Sequence, residues 1–167
     1  KVTKKEVLKT GANFTTIKEY FFGAEKRSRQ PIVRIMADCL MPNHYHLLIE
    51  ELRENGITKF MHKLGTGYTM YFNKKYNRAG SLFQGPFKAV NVDQETHLDY
   101  LLVYINVINP GQLIEPNLKE DGIENKKNVM SFAKSYPWST NKEYLHIRDS
   151  IIIDKGILNQ IFPDGQT

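Results

Sequence analysis

One cysteine in 167 residues, Cys39, excludes an internal disulfide and fits a reducing, cytoplasmic setting. Set in an apolar stretch, it reads as a small buried hydrophobe rather than a reactive thiol. No run approaches the roughly 20 apolar residues needed to cross a bilayer, and no secretory apolar segment is visible, so no membrane partner is expected. Internal repeats and low-complexity tracts are missing as well. Acid is missing from one long window: between Glu54 and Asp93 there is no Asp or Glu.

That window holds Lys59, Lys63, Lys74, Lys75, Arg78 and Lys88, and it accounts for the net charge of +5, leaving the rest of the chain close to neutral. Tyr68, Tyr71, Phe72, Tyr76, Phe83 and Phe87 lie among these cations. Surface cations neutralise phosphates and aromatic faces stack on unpaired bases, so the window is a candidate nucleic-acid surface. Helical spacing of the same aromatics points instead to core positions, and both readings stand. A hydrophobic content of 41% supports one compact domain, or one with a modest extension.

Pro31 opens a strand-like run, IVRIMADCLM; Pro42-Asn43 reads as a turn, and HYHLLIE as a second strand forming an antiparallel hairpin with the first. After Gly56, the positions Ile57, Phe60, Met61, Leu64, Tyr68 and Tyr71 describe one helical face. Asn77–Gly80 reads as a turn, and Phe83–Val92 as a further strand, an edge or bulged one because of Gly85-Pro86. Asp93 is a candidate N-cap for a helix carrying Leu98, Leu101, Leu102, Ile105 and Ile108, which Pro110 should stop.

Residues 116–128 read as a charged, mobile connection. A short helix near Val129–Lys134 follows, then one capped by a Thr140/Glu143 box, then one begun by Asp154 and running through Phe162. Residues 1–30 are polar and mixed, with a helix around Thr15–Phe22. The expected class is α+β: a ferredoxin-like antiparallel sheet with helices on one face, plus a helical C-terminal tail. The expected division is 1–115 for the catalytic domain and 116–167 for the extension. No first strand is legible in residues 1–14, so it is expected upstream of Lys1.

The chemistry concentrates in HYH. Side chains alternate along a strand, so His44 and His46 share a face and Tyr45 points away. Two imidazoles about 7 Å apart along a strand can converge on one divalent ion. Glu50 shares that face, farther along, as a lesser candidate ligand or base. An HxH pattern by itself is equally two unrelated strand histidines.

The stretch CLMPNHYHLLIE closely resembles the signature of HUH-endonuclease transposases with a single catalytic tyrosine, the insertion-sequence-200-like group. YFNKKYNRAGSLFQGPFKAVNVD resembles that family's segment after the central helix, and YLLVYINVINP its tyrosine helix. YPWSTNKEYL resembles a tail block of the REP-associated tyrosine transposase branch. These four ordered blocks cover roughly Ile32 to Leu145.

The resemblance implies a ferredoxin-like nuclease and strand transferase acting on single-stranded or hairpin DNA. His44 and His46 would hold Mg²⁺ or Mn²⁺ on the scissile phosphate, and Tyr104 would attack phosphorus to give a 5′-phosphotyrosine link. Gln84 matches the glutamine of the LFQG block as a DNA contact, beside Lys59, Lys63, Lys74, Lys75, Arg78 and Lys88.

Three positions depart from the family pattern. The asparagine that commonly follows the tyrosine by four residues is here Asn109, five after Tyr104, with Ile108 in its place. In an α-helix +5 lies well off the tyrosine's face, and Pro110 should push Asn109 out of α geometry, so Asn109 is a doubtful third ligand and Asn106 a weaker substitute. Pro86 stands where the family has a basic residue after LFQG, and Ser81 where it has a histidine before it. Two rival readings follow: a domesticated hairpin-binding protein that cuts weakly or not at all, and a metal hydrolase using water. The family includes both monomers and homodimers. Trp138 is expected to anchor the core, and His62, His97 and His146 to lie at the surface.

Overall fold

A computed structural model describes residues 30–158, and the architecture is that of the unit beginning at Ile32. The readings for residues 1–29, and the end of the helix expected through Phe162, lie outside the described residues.

β1 (Val33–Leu40) and β2 (Tyr45–Glu51) pair antiparallel, with Leu40 opposite Tyr45 and Cys39 opposite His46. The Met41 N–H donates to the His44 carbonyl at 2.8 Å and closes the Pro42-Asn43 turn. The register slips between Ile35 and Ala37, and this bulge lets the adjacent Met36 and Ala37 both be buried.

α1 (Gly56–Tyr76) follows. It starts at a glycine for a steric reason: a Cβ at Gly56 would stand 2.2 Å from the Ile32 carbonyl oxygen. Lys74 and Lys75 lie in its last turn, where cations suit the helix dipole. The expected apolar face is only lightly used. Gly56 is the one buried residue of α1, while Tyr68 and Tyr71 are 48% and 56% exposed.

The expected strand Phe83–Val92 is absent: residues 81–94 form bends and extended loop, and 84–91 are exposed. Gly85-Pro86 removes one ladder donor and weakens the alternation a strand needs. The outer edge of β1 is already taken by the tail. The Trp138 carbonyl accepts from the Leu40 N–H at 2.7 Å, the Thr140 N–H donates to Asp38 at 3.0 Å, and the Asp154 N–H donates to Ile35 at 3.0 Å. Among the described residues the sheet therefore has two strands, and the class is α+β.

α2 (Glu95–Val103) is preceded by Gln94 at the N-cap, not Asp93, with no side-chain cap bond. It continues without a break into a π-helical segment, π1 (Tyr104–Ile108), and one more α-helical turn, α3 (Asn109–Gly111). Pro110 therefore does not end the helix, and Asn109 keeps helical angles, φ −61° and ψ −51°. A helical proline clashes with the carbonyl four residues back, here Asn106, and the wide π turn just before Pro110 accommodates it.

The segment expected to be a mobile connection holds α4 (Leu118–Asp121), anchored by buried Leu118. α5 (Lys126–Ser135) packs Val129 and Ala133 inward, and α6 (Asn141–Tyr144) follows. The Thr140/Glu143 box does not form. Thr140 Oγ1 accepts from the Asp38 N–H at 3.0 Å and lies 2.9 Å from Asn106 Oδ1, while Glu143 is held by Arg148 through two bonds of 2.5 and 2.7 Å. Asp154 makes a turn bond to the Gly156 N–H and an ion pair with Arg34. Met36, Ala37, Cys39, Leu48, Leu102, Ile105, Tyr136 and Leu158 form the core, so the hairpin, the tyrosine helix and the tail share one interior. Trp138, expected inside, is 60% exposed. No described helix is long and apolar enough to cross a membrane.

Candidate active site

The hairpin presents the two histidines together. Their rings meet edge to face, with centroids 5.0 Å apart and planes at 82°. Tyr45 packs instead against Phe83, at 6.1 Å. His44 is exposed, and its Nδ1 is 2.7 Å from Asn43 Oδ1. An amide oxygen only accepts, so in this pairing the His44 Nδ1 is the donor. His46 is half-buried, and its buried Nε2 has no hydrogen-bond partner. Burial, then the neighbouring His44 and Lys119, lower the His46 pKa and favour the neutral, ligating form.

Tyr104, at the head of π1, meets this pair. Its ring stands 5.6 Å from that of His46 at 88°. Lys119 of α4 donates to the Tyr104 hydroxyl at 2.5 Å, with its Nζ 4.6 Å from the ring centroid. Tyr100, one turn earlier, is 59% exposed, its ring 5.9 Å from Tyr104.

The other candidate ligands are engaged elsewhere. Glu50 is ion-paired to Arg34. Asn106 Oδ1 is bonded to Thr140. Asn109 is fully buried; its Oδ1 accepts from Gln112 at 3.2 Å, and its Nδ2 is unpartnered. The π segment nevertheless changes the meaning of its spacing. The Asn109 N–H donates to the Tyr104 carbonyl, five residues back, so Asn109 stands one turn beyond Tyr104 as a +4 residue does in an α-helix. The extra residue is absorbed in the helix, and Asn109 is not carried off that face. No group of three or more His, Cys, Asp or Glu side chains fit to hold a metal occurs among the described residues. The two imidazoles, one with an orphaned buried nitrogen, are the donors present.

Lys59, Lys63, Lys74, Lys75, Arg78, Gln84 and Lys88 are all exposed. Lys75 lies over the rings of Tyr71 and Tyr76 at 5.8 and 5.2 Å, and Arg78 over Phe72 at 5.6 Å. Cations and aromatic faces thus alternate over the second half of α1 and the residues just after it, several of the rings in the open. His62 and His146 are exposed and His97 half-buried. Asn43 and Lys119 are the site neighbours that the sequence does not flag. Asn43 was legible only as a turn residue, and Lys119 lies in a charged stretch with no periodic pattern.

A family model described as "Transposase IS200 like" matches residues 3–107, more than half of the chain. No curated protein and no solved structure matches the chain. The family match takes in both histidines and Tyr104 and ends before Asn109 and Lys119.

Proposed function

The chain belongs to the IS200-like transposase family, and on that premise we propose that it cuts and rejoins single-stranded or hairpin DNA with Tyr104 as the nucleophile. Membership carries DNA binding and DNA cleavage in transposition as its general activity. The observation that supports the finer reading is the meeting of Tyr104 with His46, 5.6 Å between ring centroids, from two elements far apart in sequence.

His44 and His46 would hold a divalent ion, which when bound withdraws charge from a phosphate oxygen. Imidazole donors suit Mn²⁺ better than Mg²⁺, a hard ion that prefers oxygen ligands. Tyr104 supplies the oxygen that bonds to phosphorus as the bond from phosphorus to the 3′ oxygen breaks. The phenolic proton passes to solvent, and the departing 3′ oxygen takes one up from solvent, so protons balance. A 5′-phosphotyrosine and a free 3′-OH result, with the phosphoester conserved for rejoining. The exposed cations and aromatics of α1 would carry the strand, the cations on phosphates and the rings on bases.

The test is a labelled hairpin oligonucleotide incubated with Mn²⁺ and run on a denaturing gel. A covalent protein–DNA adduct supports the proposal. Binding without cleavage points to a hairpin-binding protein, a reading favoured by the burial of Asn109 and its bond to Gln112. Cleavage without an adduct points to water as the nucleophile.

A further inference from the structure

Lys119 lies outside the family match and between the blocks of the sequence that resemble the family, yet its ammonium meets the Tyr104 hydroxyl. It donates to the hydroxyl at 2.5 Å with its Nζ 4.6 Å from the ring centroid, so the ammonium sits at the hydroxyl edge of the phenol and restrains its oxygen. No carboxylate pairs with Lys119 among the described residues, so an anionic ligand would meet its charge unneutralised.

The backbone beneath Lys119 is held in place. The preceding residue, Leu118, is buried against Gly111, where a Cβ would stand 2.9 Å from Leu118 Cδ1 and 2.9 Å from Val129 Cγ1. The Glu115 carboxylate accepts from the N–H groups of Glu124 and Asn125 at 3.1 and 3.2 Å and fixes the other side of the connection. The helix carrying Tyr104 thus ends on the glycine that lets α4 approach and deliver Lys119 back to it.

We propose that Lys119 is a positioning residue for Tyr104: it holds the phenol oxygen on the His46 side and sets a permanent cation beside the attacked phosphodiester. The inference rests on Tyr104 being the nucleophile. Lys119 takes no part in proton transfer in this proposal. Its charge offsets the negative charge that builds as the oxygen–phosphorus bond forms and the bond to the 3′ oxygen breaks.

The test compares wild type, Lys119→Ala and Lys119→Arg in two measurements. The first is single-turnover adduct formation on a labelled hairpin oligonucleotide at saturating protein with Mn²⁺. Lys119→Ala should slow it by about 10- to 100-fold with DNA affinity reduced less than about 5-fold, and Lys119→Arg should restore most of the rate. The second is hydroxyl-radical footprinting without DNA. Oxidation of Tyr104 should rise at least about twofold in Lys119→Ala, as expected for a phenol whose hydroxyl edge is uncovered, with Tyr100 unchanged. An unchanged adduct rate, or unchanged Tyr104 oxidation, overturns the proposal. A wild-type protein that forms no adduct overturns the nucleophile reading instead, and the footprint then decides the clamp by itself.

Discussion

The rings of His46 and Tyr104 meet edge to face, 5.6 Å between centroids and 88° between planes. His46 comes from the strand that follows the hairpin turn and Tyr104 from the head of a π turn, and both are half-buried. A metal on the His46 side and a phosphate bridging to Tyr104 would fit this arrangement, whereas the exposed ring of Tyr100 packs on Tyr104.

Tyr104→Phe should therefore eliminate the covalent adduct, while Tyr100→Phe keeps it. Loss of one hydroxyl leaves the ring packing intact, so hairpin binding should persist in both. Mass spectrometry of the adducted tryptic peptide checks the assignment. A nucleotide mapped to Tyr100 would overturn it.

His44→Ala and His46→Ala should each reduce metal-dependent cleavage by at least about 100-fold, with hairpin affinity changed little. The imidazoles act on the reacting phosphate, whereas most of the binding free energy would come from the cations of α1. Calorimetric titration with Mn²⁺ gives a second readout, and both variants should lose the binding isotherm. Normal cleavage by both variants in Mn²⁺ would exclude the histidine pair as the metal site.

DNA affinity should fall steeply with salt. Removing one cation that neutralises a phosphate should lower the log–log salt slope by roughly 0.7 for a single strand. Lys74→Ala with Lys75→Ala should weaken all sequences alike, because cations on phosphates position a strand without reading it. A salt-independent binding constant would rule out the basic face as the DNA surface.

What could be read from the sequence was local. Alternation in IVRIMADCLM and HYHLLIE marked the hairpin and put both histidines on one face, and the spacing of Leu98, Leu101, Leu102 and Ile105 marked the tyrosine helix. What could not be read depended on distant partners. Phe83–Val92 carries strand-forming residues, but the tail occupies the outer edge of β1. Thr140 and Glu143 have capping-box spacing, but Asp38, Asn106 and Arg148 claim their side chains. The α-helical wheel placed Asn109 off the Tyr104 face because it assumed one helical period throughout, and the π segment changes that period over five residues. Lys119 reaches Tyr104 only because Gly111 admits Leu118, a fit that no local pattern announces.

Asp38 provides a test of how the tail is joined to the hairpin. Burial, with Glu143 adding to it and Arg148 opposing it, pushes the Asp38 carboxyl from 3.8 up to about 6. Between those values the folded state binds more protons than the unfolded chain, so this group makes stability fall as pH rises through the window. Above about pH 6 the destabilisation is fully present, and below about pH 4 it is gone. Asp38→Asn removes the ionisation and keeps the shape. The backbone bonds of residue 38 to Thr140 involve no carboxylate and should survive. The variant should be more stable than wild type by on the order of 1–2 kcal/mol at pH 7.5, allowing for the partial exposure of the carboxyl, and equal to it near pH 4. Urea melts of both proteins at pH 4, 5.5 and 7.5 measure this directly. A stability difference that does not change with pH would mean that Asp38 contributes through its shape alone, and that its charge is not what the tail must accommodate.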